Sequence, residues 1–183
     1  MILGLMGQLV KLVFLCNIKL KHHPELILLF NPGEQFSDLL KLSPEQLLLR
    51  WFNYHLQQAG YDKKITNFSE DVKDSEKYTI LLHQLNKNLC DKSDLDEDDR
   101  KKRAKKVIEN AKNLGAELYI CPDDIVAGNQ KLNTLFVASI FNAYPGLDKL
   151  QMEMNEMILQ NLQSKKKSII AIIITIQKIR KIL

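Results

Sequence analysis

Apolar residues in this sequence recur mainly at intervals of three and four positions, which is the spacing of an amphipathic helix. Short helical turns are expected after Pro24 and Pro122. Apolar and polar residues nowhere alternate for long enough to predict a strand. The longer helices are predicted over residues 1–20, 44–60, 75–85 and 98–114, and from Asn129 to Pro145. We therefore expect an all-α fold built on a few main helices.

The helix over residues 44–60 carries the strongest local signals. Ser43 and Gln46 have the spacing of a capping box, Pro44 suits the first helical position, and Gly60 favours the end of the helix. Its polar residues, expected to point outward, are Arg50, Asn53, His55, Gln57 and Gln58. Its expected buried face consists of Leu47, Leu48, Trp51, Phe52, Tyr54, Leu56 and Ala59.

Two further segments contribute to the expected core. Phe68, in the loop over residues 65–74, is the apolar residue that we expect to anchor that loop. The last helix, capped by Asn129, is expected to bury Leu132, Leu135, Phe136, Ala138, Ile140 and Phe141. Between them, acidic residues 91–99 precede the basic run 100–106, which is the charge order that a helix N-terminus favours.

Composition is that of an ordinary soluble protein with a packed core. The chain has 183 residues, of which 45% are hydrophobic and 26% charged, so we expect one domain with extensions. Its net charge of +4 arises largely from lysines and an arginine near the C-terminus, and no strongly basic face indicates a nucleic-acid partner. The 3 cysteines, Cys16, Cys90 and Cys121, are far apart. We expect them to be free, partly buried thiols of an intracellular protein.

Neither catalytic nor metal-binding chemistry is indicated. A calcium loop starting at Asp91 or Asp94 would lack its glycine and would have Lys102 or Lys105 in place of the final glutamate. The histidines show no spacing to a nucleophile, and no phosphate-binding loop is present. We therefore expect no enzyme activity, no cofactor and no metal.

The two ends of the chain do not have the pattern of membrane segments. Lys11 interrupts the apolar N-terminal run, which we interpret as a core helix and not as a signal peptide. The isoleucine-rich run 169–176 is shorter than the ~18 residues that span a bilayer.

Several segments together resemble one protein family. They are residues 42–60 (LSPEQLLLRWFNYHLQQAG), 65–75 (ITNFSEDVKDS), 123–133 (DDIVAGNQKLN), 136–138 (FVA) and 141–145 (FNAYP). In these segments the chain resembles fimbrin (plastin), whose actin-binding regions are tandem calponin-homology domains.

The resemblance implies a domain organisation. Residues 42–147 are similar to the second calponin-homology domain of the first tandem, and residues 1–41 to the last helix of the preceding domain with its linker. Residues 148–183 depart from the family and form a divergent tail, which we expect to be helical. On this interpretation the chain begins partway through a domain.

Filamentous actin is the partner that the resemblance implies, in the cytoplasmic actin cytoskeleton. In the family, filament contact is assigned to helices that match residues 4–18 and 44–60 here. The candidate contact residues are Gln8, Lys11, Leu12 and Phe14 in the first helix, and Glu45, Arg50, Asn53 and Gln57 in the second.

Three alternatives remain open. The chain can be a structural calponin-homology fragment without its own actin binding. It can associate with a membrane surface through Lys165–Lys167 and the isoleucine run, a role that we rank below actin binding. The apolar helix over residues 2–18 can bury its face on residues 42–147, on the tail or on another chain, and the last case predicts self-association.

Overall fold

The computed structural model describes residues 13–117 and 120–147. The chain divides into two compact units, Met1–Leu147 and Asp148–Leu183, and all described residues belong to the first. The tail over residues 148–183 and most of the predicted N-terminal helix therefore lie outside the described residues.

Helices connected by loops account for the described part of the chain, which contains no strand. The α-helices are α1 (Phe36–Lys41), α2 (Pro44–Gln58), α3 (Glu76–Leu85), α4 (Arg100–Asn113), α5 (Pro122–Val126) and α6 (Gln130–Ala143). Short 3-10 helices are η1 (Pro24–Leu29), η2 (Glu70–Val72) and η3 (Ser93–Asp96). The all-α prediction is confirmed, and α2, α3, α4 and α6 are the main helices of the described region.

Helix α2 begins and ends where its local sequence predicts. The Ser43 side chain accepts a hydrogen bond from Gln46 N at 3.3 Å, and the Gln46 side chain accepts one from Ser43 N at 2.9 Å. This reciprocal capping box satisfies two backbone donors that the first helical turn leaves free. Gly60 follows the helix with a φ of +73°, a conformation that glycine adopts at little cost.

Helix α6 is the centre of the core. Its Asn129 cap accepts a hydrogen bond from Leu132 N, as the sequence predicts. Phe141 packs edge-on against Trp51 of α2, and Phe136 against Tyr78 of α3. The helix buries Asn133, Thr134, Phe136, Val137, Ala138, Ser139, Ile140 and Phe141. Because it is surrounded on nearly all sides, the expectation of a single buried face is wrong, and Leu132 and Leu135 are only half-buried.

The core also includes residues that precede α2. Leu15, Ile18, Leu26, Leu29 and Leu39 are all buried in one cluster with residues of α2, α3, α4 and α6. The predicted helix over residues 1–20 ends at Leu15, and a turn closed by a hydrogen bond from Ile18 N to Leu15 O follows it. Ile18, at this turn, is fully buried in the core. Helix α1 was not predicted, because its six residues carry no side-chain cap.

The outward position predicted for His55 on α2 is wrong. The side chain is buried, and its Nε2–H donates to Pro145 O at 3.1 Å. Trp51 Nε1–H, one helical turn earlier, donates to the same carbonyl oxygen at 2.7 Å. The two donors fix the segment after α6 against α2. Ala59 is exposed and Tyr54 is half-buried, so neither belongs to the fully buried face as expected.

The loops are held by polar contacts as well as by apolar ones. Phe68 is fully buried, which confirms its predicted role as the anchor of its loop. Asp99 caps α4 by accepting hydrogen bonds from the amides of Lys101 and Lys102. Arg103 donates to the backbone carbonyls of residues 74, 94 and 97. These contacts join two loops to α4.

Candidate functional site

The outer face of α2 carries three of the predicted contact residues side by side. Arg50, Asn53 and Gln57 are spaced by three and four positions, so they form one stripe along the helix. A cleft of about 310 Å³ lies between this stripe and the segment that precedes α1. We call it the α2 cleft; it is lined by Leu28, Leu29, Phe30, Asn31, Pro32, Arg50, Asn53, Tyr54, Gln57 and Lys64.

Arg50 is paired with an acidic residue at the edge of the α2 cleft. Its two terminal nitrogens donate to the two carboxylate oxygens of Glu34, each at 2.7 Å. This is the bidentate arrangement in which arginine binds carboxylates most strongly. The hydrogen bonds from Arg50 hold the pKa of the Glu34 carboxyl below its ordinary value, and those to Glu34 raise the pKa of the guanidinium. Both groups are therefore charged at neutral pH.

Asn53 has a structural role. Its side chain donates to Ile65 O at 2.9 Å and accepts from Ile65 N at 2.8 Å. Ile65 is itself buried, so this paired contact attaches the loop after α2 to the helix. Asn53 therefore forms part of the cleft wall, and the nitrogen and oxygen of its side-chain amide are both already hydrogen-bonded.

Gln57 and Lys64 are two exposed polar residues of the α2 cleft. Both side chains are exposed and make no hydrogen bond or ion pair with the part of the chain that the structure describes. Lys64 was not among the predicted contact residues. It follows the end of the helix by six positions, and only the path of the loop brings it back to the cleft, so no local pattern points to it.

Glu45 lies apart from this stripe. It is five residues before Arg50, which places it ~140° around the helix axis. Its Oε1 accepts a hydrogen bond from Gln130 Nε2 at 3.2 Å, at the start of α6. The pair joins the N-termini of two helices on the surface.

Phe14 lies elsewhere, beside the C-terminal end of α6. It is half-buried, and its backbone carbonyl accepts a hydrogen bond from Asn142 Nδ2 at 3.2 Å. The neighbouring Val13 is 65% exposed. A second cleft of about 490 Å³ is lined by Val13, Phe14, Asn17, His23, Gly115, Glu117, Ser139, Asn142 and Ala143. The other three candidates of the first helix, Gln8, Lys11 and Leu12, lie outside the described residues.

Two other kinds of site, metal centres and membrane-spanning helices, are absent from the described residues. These residues contain no group of three His, Cys, Asp or Glu side chains suited to a metal ion, and no helix among them is long and apolar enough to cross a bilayer. Asp94 of the acidic stretch is buried and pairs with Lys106 at 2.9 Å. All three thiols are free, as predicted, but Cys16 and Cys121 are exposed and only Cys90 is buried.

Glu34, like Lys64, was not predicted as part of the site. It follows the Asn31-Pro32-Gly33 turn, and 16 positions separate it from Arg50. The turn can be predicted from the sequence, but the contact between Glu34 and Arg50 depends on how η1 and the turn fold back across α2. A pairing of this kind requires the tertiary structure.

Comparison with known proteins identifies the helical unit. Residues 42–146 match the model of the calponin homology (CH) domain family. Fimbrin of Saccharomyces cerevisiae is 49% identical over 153 residues, which are 84% of this chain and 24% of that protein. Human plastin-1 is 43% identical over 157 residues, which are 81% of this chain and 25% of that protein. The chain thus spans about a quarter of these relatives.

A solved structure supports the same relationship. The crystal structure of the actin-crosslinking core of Schizosaccharomyces pombe fimbrin matches with a TM-score of 0.65 and 41% identity. The match covers 80% of this chain and 28% of that one. Fold and sequence therefore agree on the fimbrin and plastin type of CH domain.

Proposed function

Because the chain belongs to the calponin homology domain family, we propose that it binds filamentous actin as a fragment of a fimbrin- or plastin-type bundling protein. The observation that carries the proposal is the match of 80% of the chain to the solved structure of a fimbrin actin-crosslinking core. The proposed role is binding, with no catalytic step, in the cytoplasmic actin cytoskeleton.

The proposal includes the place of the chain in such a protein. Residues 42–147 are the second CH domain of the first tandem. Residues 1–41 supply the last helix of the preceding domain and the linker, and residues 148–183 are a divergent tail. One such surface engages one filament, and bundling requires two. We therefore propose binding without cross-linking for this chain alone.

The α2 stripe and its cleft are the proposed contact surface within the described residues. Gln57 and Lys64 are exposed and have no partner there, so they are free to contact a filament directly. Arg50 is available only by exchange of Glu34, and Asn53 supports the cleft wall. The other candidates remain proposed contacts at other places on the chain: Glu45, Phe14, Gln8, Lys11 and Leu12.

Co-sedimentation of the full chain with filamentous actin tests the proposal. Lys64→Glu reverses a charge in the α2 cleft, and Lys87→Glu makes the same change at an exposed site that lines a different cleft. We expect saturable pelleting of the wild type, and a loss of affinity of at least about fivefold for Lys64→Glu only, the size typical of an interface contact. Gln57→Glu should weaken pelleting in the same direction.

Each alternative predicts a different result. A chain that folds but does not pellet at any actin concentration is a structural fragment, and the proposal then fails. Equal weakening by Lys64→Glu and Lys87→Glu would mean that the loss of affinity is a general effect of charge. The α2 cleft would then not be the contact surface. Sedimentation without actin tests self-association separately, and binding to anionic vesicles tests the membrane alternative, which none of the comparisons favours.

A deletion of residues 1–41 is not a suitable control. It would remove Leu15, Ile18, Leu26, Leu29 and Leu39 from the core. Each buried leucine or isoleucine contributes ~2 kcal/mol or more, so the shortened chain would lose much of its stability. Point substitutions at exposed positions avoid this problem.

A further inference from the structure

Glu34 occupies the position on Arg50 that an acidic group of a binding partner would take. Its carboxylate is held by both terminal nitrogens of the guanidinium. This leaves the strongest anion-binding group of the α2 cleft already satisfied within the chain. A partner carboxylate that approaches the cleft therefore meets a competitor.

We propose that Glu34 is an intramolecular competitor for actin binding, and that a carboxylate of the filament replaces it on Arg50 when the α2 cleft is occupied. The inference rests on the proposed function, since it assumes that the cleft contacts actin. It adds the chemical class of the group that the cleft receives and a residue that limits the affinity.

The arrangement around Glu34 is suited to exchange. Besides Arg50, the Glu34 carboxylate accepts one hydrogen bond, from Asn31 N at 3.3 Å, within its own turn. A methyl group added at Gly33 would meet no atom within 4 Å apart from its chain neighbours, so Gly33 itself is not packed against the rest of the chain. Residues 31–33 and 35–38 are exposed. The turn can therefore move aside without exposing the core.

Asn53, unlike Arg50, is not suited to exchange its partner. Its amide is also bonded on both sides, but the partner is the backbone of Ile65, which is buried. Releasing that contact would open the loop after α2 and leave backbone groups without partners. Of the two occupied polar residues of the stripe, only Arg50 can change partner at low cost.

Charge in the cleft supports a carboxylate as the incoming group. Once Glu34 leaves, Arg50 and the exposed Lys64 are two cations on the walls of one cleft of about 310 Å³. Arginine binds a carboxylate through two parallel hydrogen bonds, and Glu34 already shows that the Arg50 fork is oriented for this. An acidic side chain of the filament fits both the geometry and the charge.

The size of the effect follows from the strength of the internal pair. Ion pairs at a protein surface favour the paired form over the open form by a factor of ~1.4–5, and the Arg50 and Glu34 side chains are 26% and 13% exposed. A partner that needs the open form then binds about two- to sixfold more weakly than to a chain without the competitor. Removal of the Glu34 charge should lower the apparent dissociation constant by the same factor.

Co-sedimentation with filamentous actin of the wild type, Glu34→Gln and Asp38→Asn tests the inference. Asp38→Asn removes one negative charge from the same exposed segment without touching Arg50, since Asp38 contacts Lys41 instead. We expect tighter binding of Glu34→Gln, by about two- to sixfold over both other proteins. The double variant Glu34→Gln/Arg50→Gln should lose this gain. Thermal unfolding confirms that each variant is folded.

The outcomes separate this inference from the proposed function. Equal binding by Glu34→Gln and Asp38→Asn would mean that only net charge matters and would overturn the competitor role. A gain that survives in the double variant would overturn the role of Arg50. If no protein pellets, the proposed function fails as well. If the wild type pellets and Glu34→Gln shows no gain, only this inference fails.

Discussion

Replacement of His55 by glutamine should make the stability of the domain less sensitive to acid. The imidazole is 3% exposed and donates through Nε2–H to Pro145 O at 3.1 Å. Burial lowers the pKa of His55 to about 4, from an ordinary value of 6.5, against a smaller opposing effect of the Pro145 hydrogen bond. His55 is therefore neutral in the folded protein at neutral pH.

The sign and size of the effect follow from these pKa values. Because the folded pKa is the lower one, the unfolded chain binds the proton first as the pH falls. The contribution of neutral His55 to the free energy of unfolding is thus complete above about pH 7. It declines as the pH falls through 6.5 and stops declining near pH 4. The whole window corresponds to about 3 kcal/mol of unfolding free energy, and ~2 kcal/mol of it lies between about pH 7 and about pH 5.

Urea unfolding at these two pH values, followed by Trp51 fluorescence, measures the effect. Trp51 is the chain's only tryptophan and is fully buried, so its emission reports unfolding. Glutamine retains a donor for Pro145 O and does not titrate. The wild type should lose ~2 kcal/mol more than His55→Gln between the two pH values, and His22→Gln controls for the loss of an exposed histidine. Equal losses in wild type and His55→Gln would refute the reasoning.

Three further substitutions test the packing and the local contacts, each by denaturant unfolding. Gly146→Ala should destabilise the fold by ~1–3 kcal/mol, because its Cβ would lie 2.5 Å from Leu85 Cδ2 at a φ of +63°; an unchanged midpoint would contradict this. Asn53→Ala should cost ~1–3 kcal/mol, since both hydrogen bonds to Ile65 are lost, and a cost near zero would mean that water replaces them. Ser43→Ala should cost ~1 kcal/mol through loss of the capping box, whereas no loss would show that the cap is dispensable.

Local sequence signals predicted the elements whose causes are local. Ser43 and Gln46 determine the start of α2, Asn129 that of α6, and Gly60 the end of α2. Each signal acts over four residues or fewer, so a local sequence pattern is enough to reveal it. Helix α1 has neither cap nor length, so the same reasoning could not find it.

The errors concern contacts between distant parts of the chain. His55 lies one turn after Trp51 on the same face of α2, a spacing that could have suggested burial. The carbonyl that satisfies its polar nitrogen is 90 positions away. Without that partner, a buried histidine is costly, so the outward assignment was the reasonable prediction.

The candidate site shows the same limit. Sequence spacing correctly placed Arg50, Asn53 and Gln57 on one stripe, since helical periodicity alone decides this. It did not reveal that Arg50 is engaged by Glu34 and Asn53 by Ile65, or that Lys64 returns to the cleft. Which polar groups are free depends on the loops that pack beside the helix.

Amide hydrogen exchange of the full chain, with and without saturating filamentous actin, tests the central claim most directly. If the α2 cleft contacts the filament, exchange should slow in its two walls, at residues 28–34 and 57–64, while residues 87–99 remain unchanged. Slowed exchange confined to residues 87–99, or no change anywhere in a chain that pellets with actin, would contradict the account.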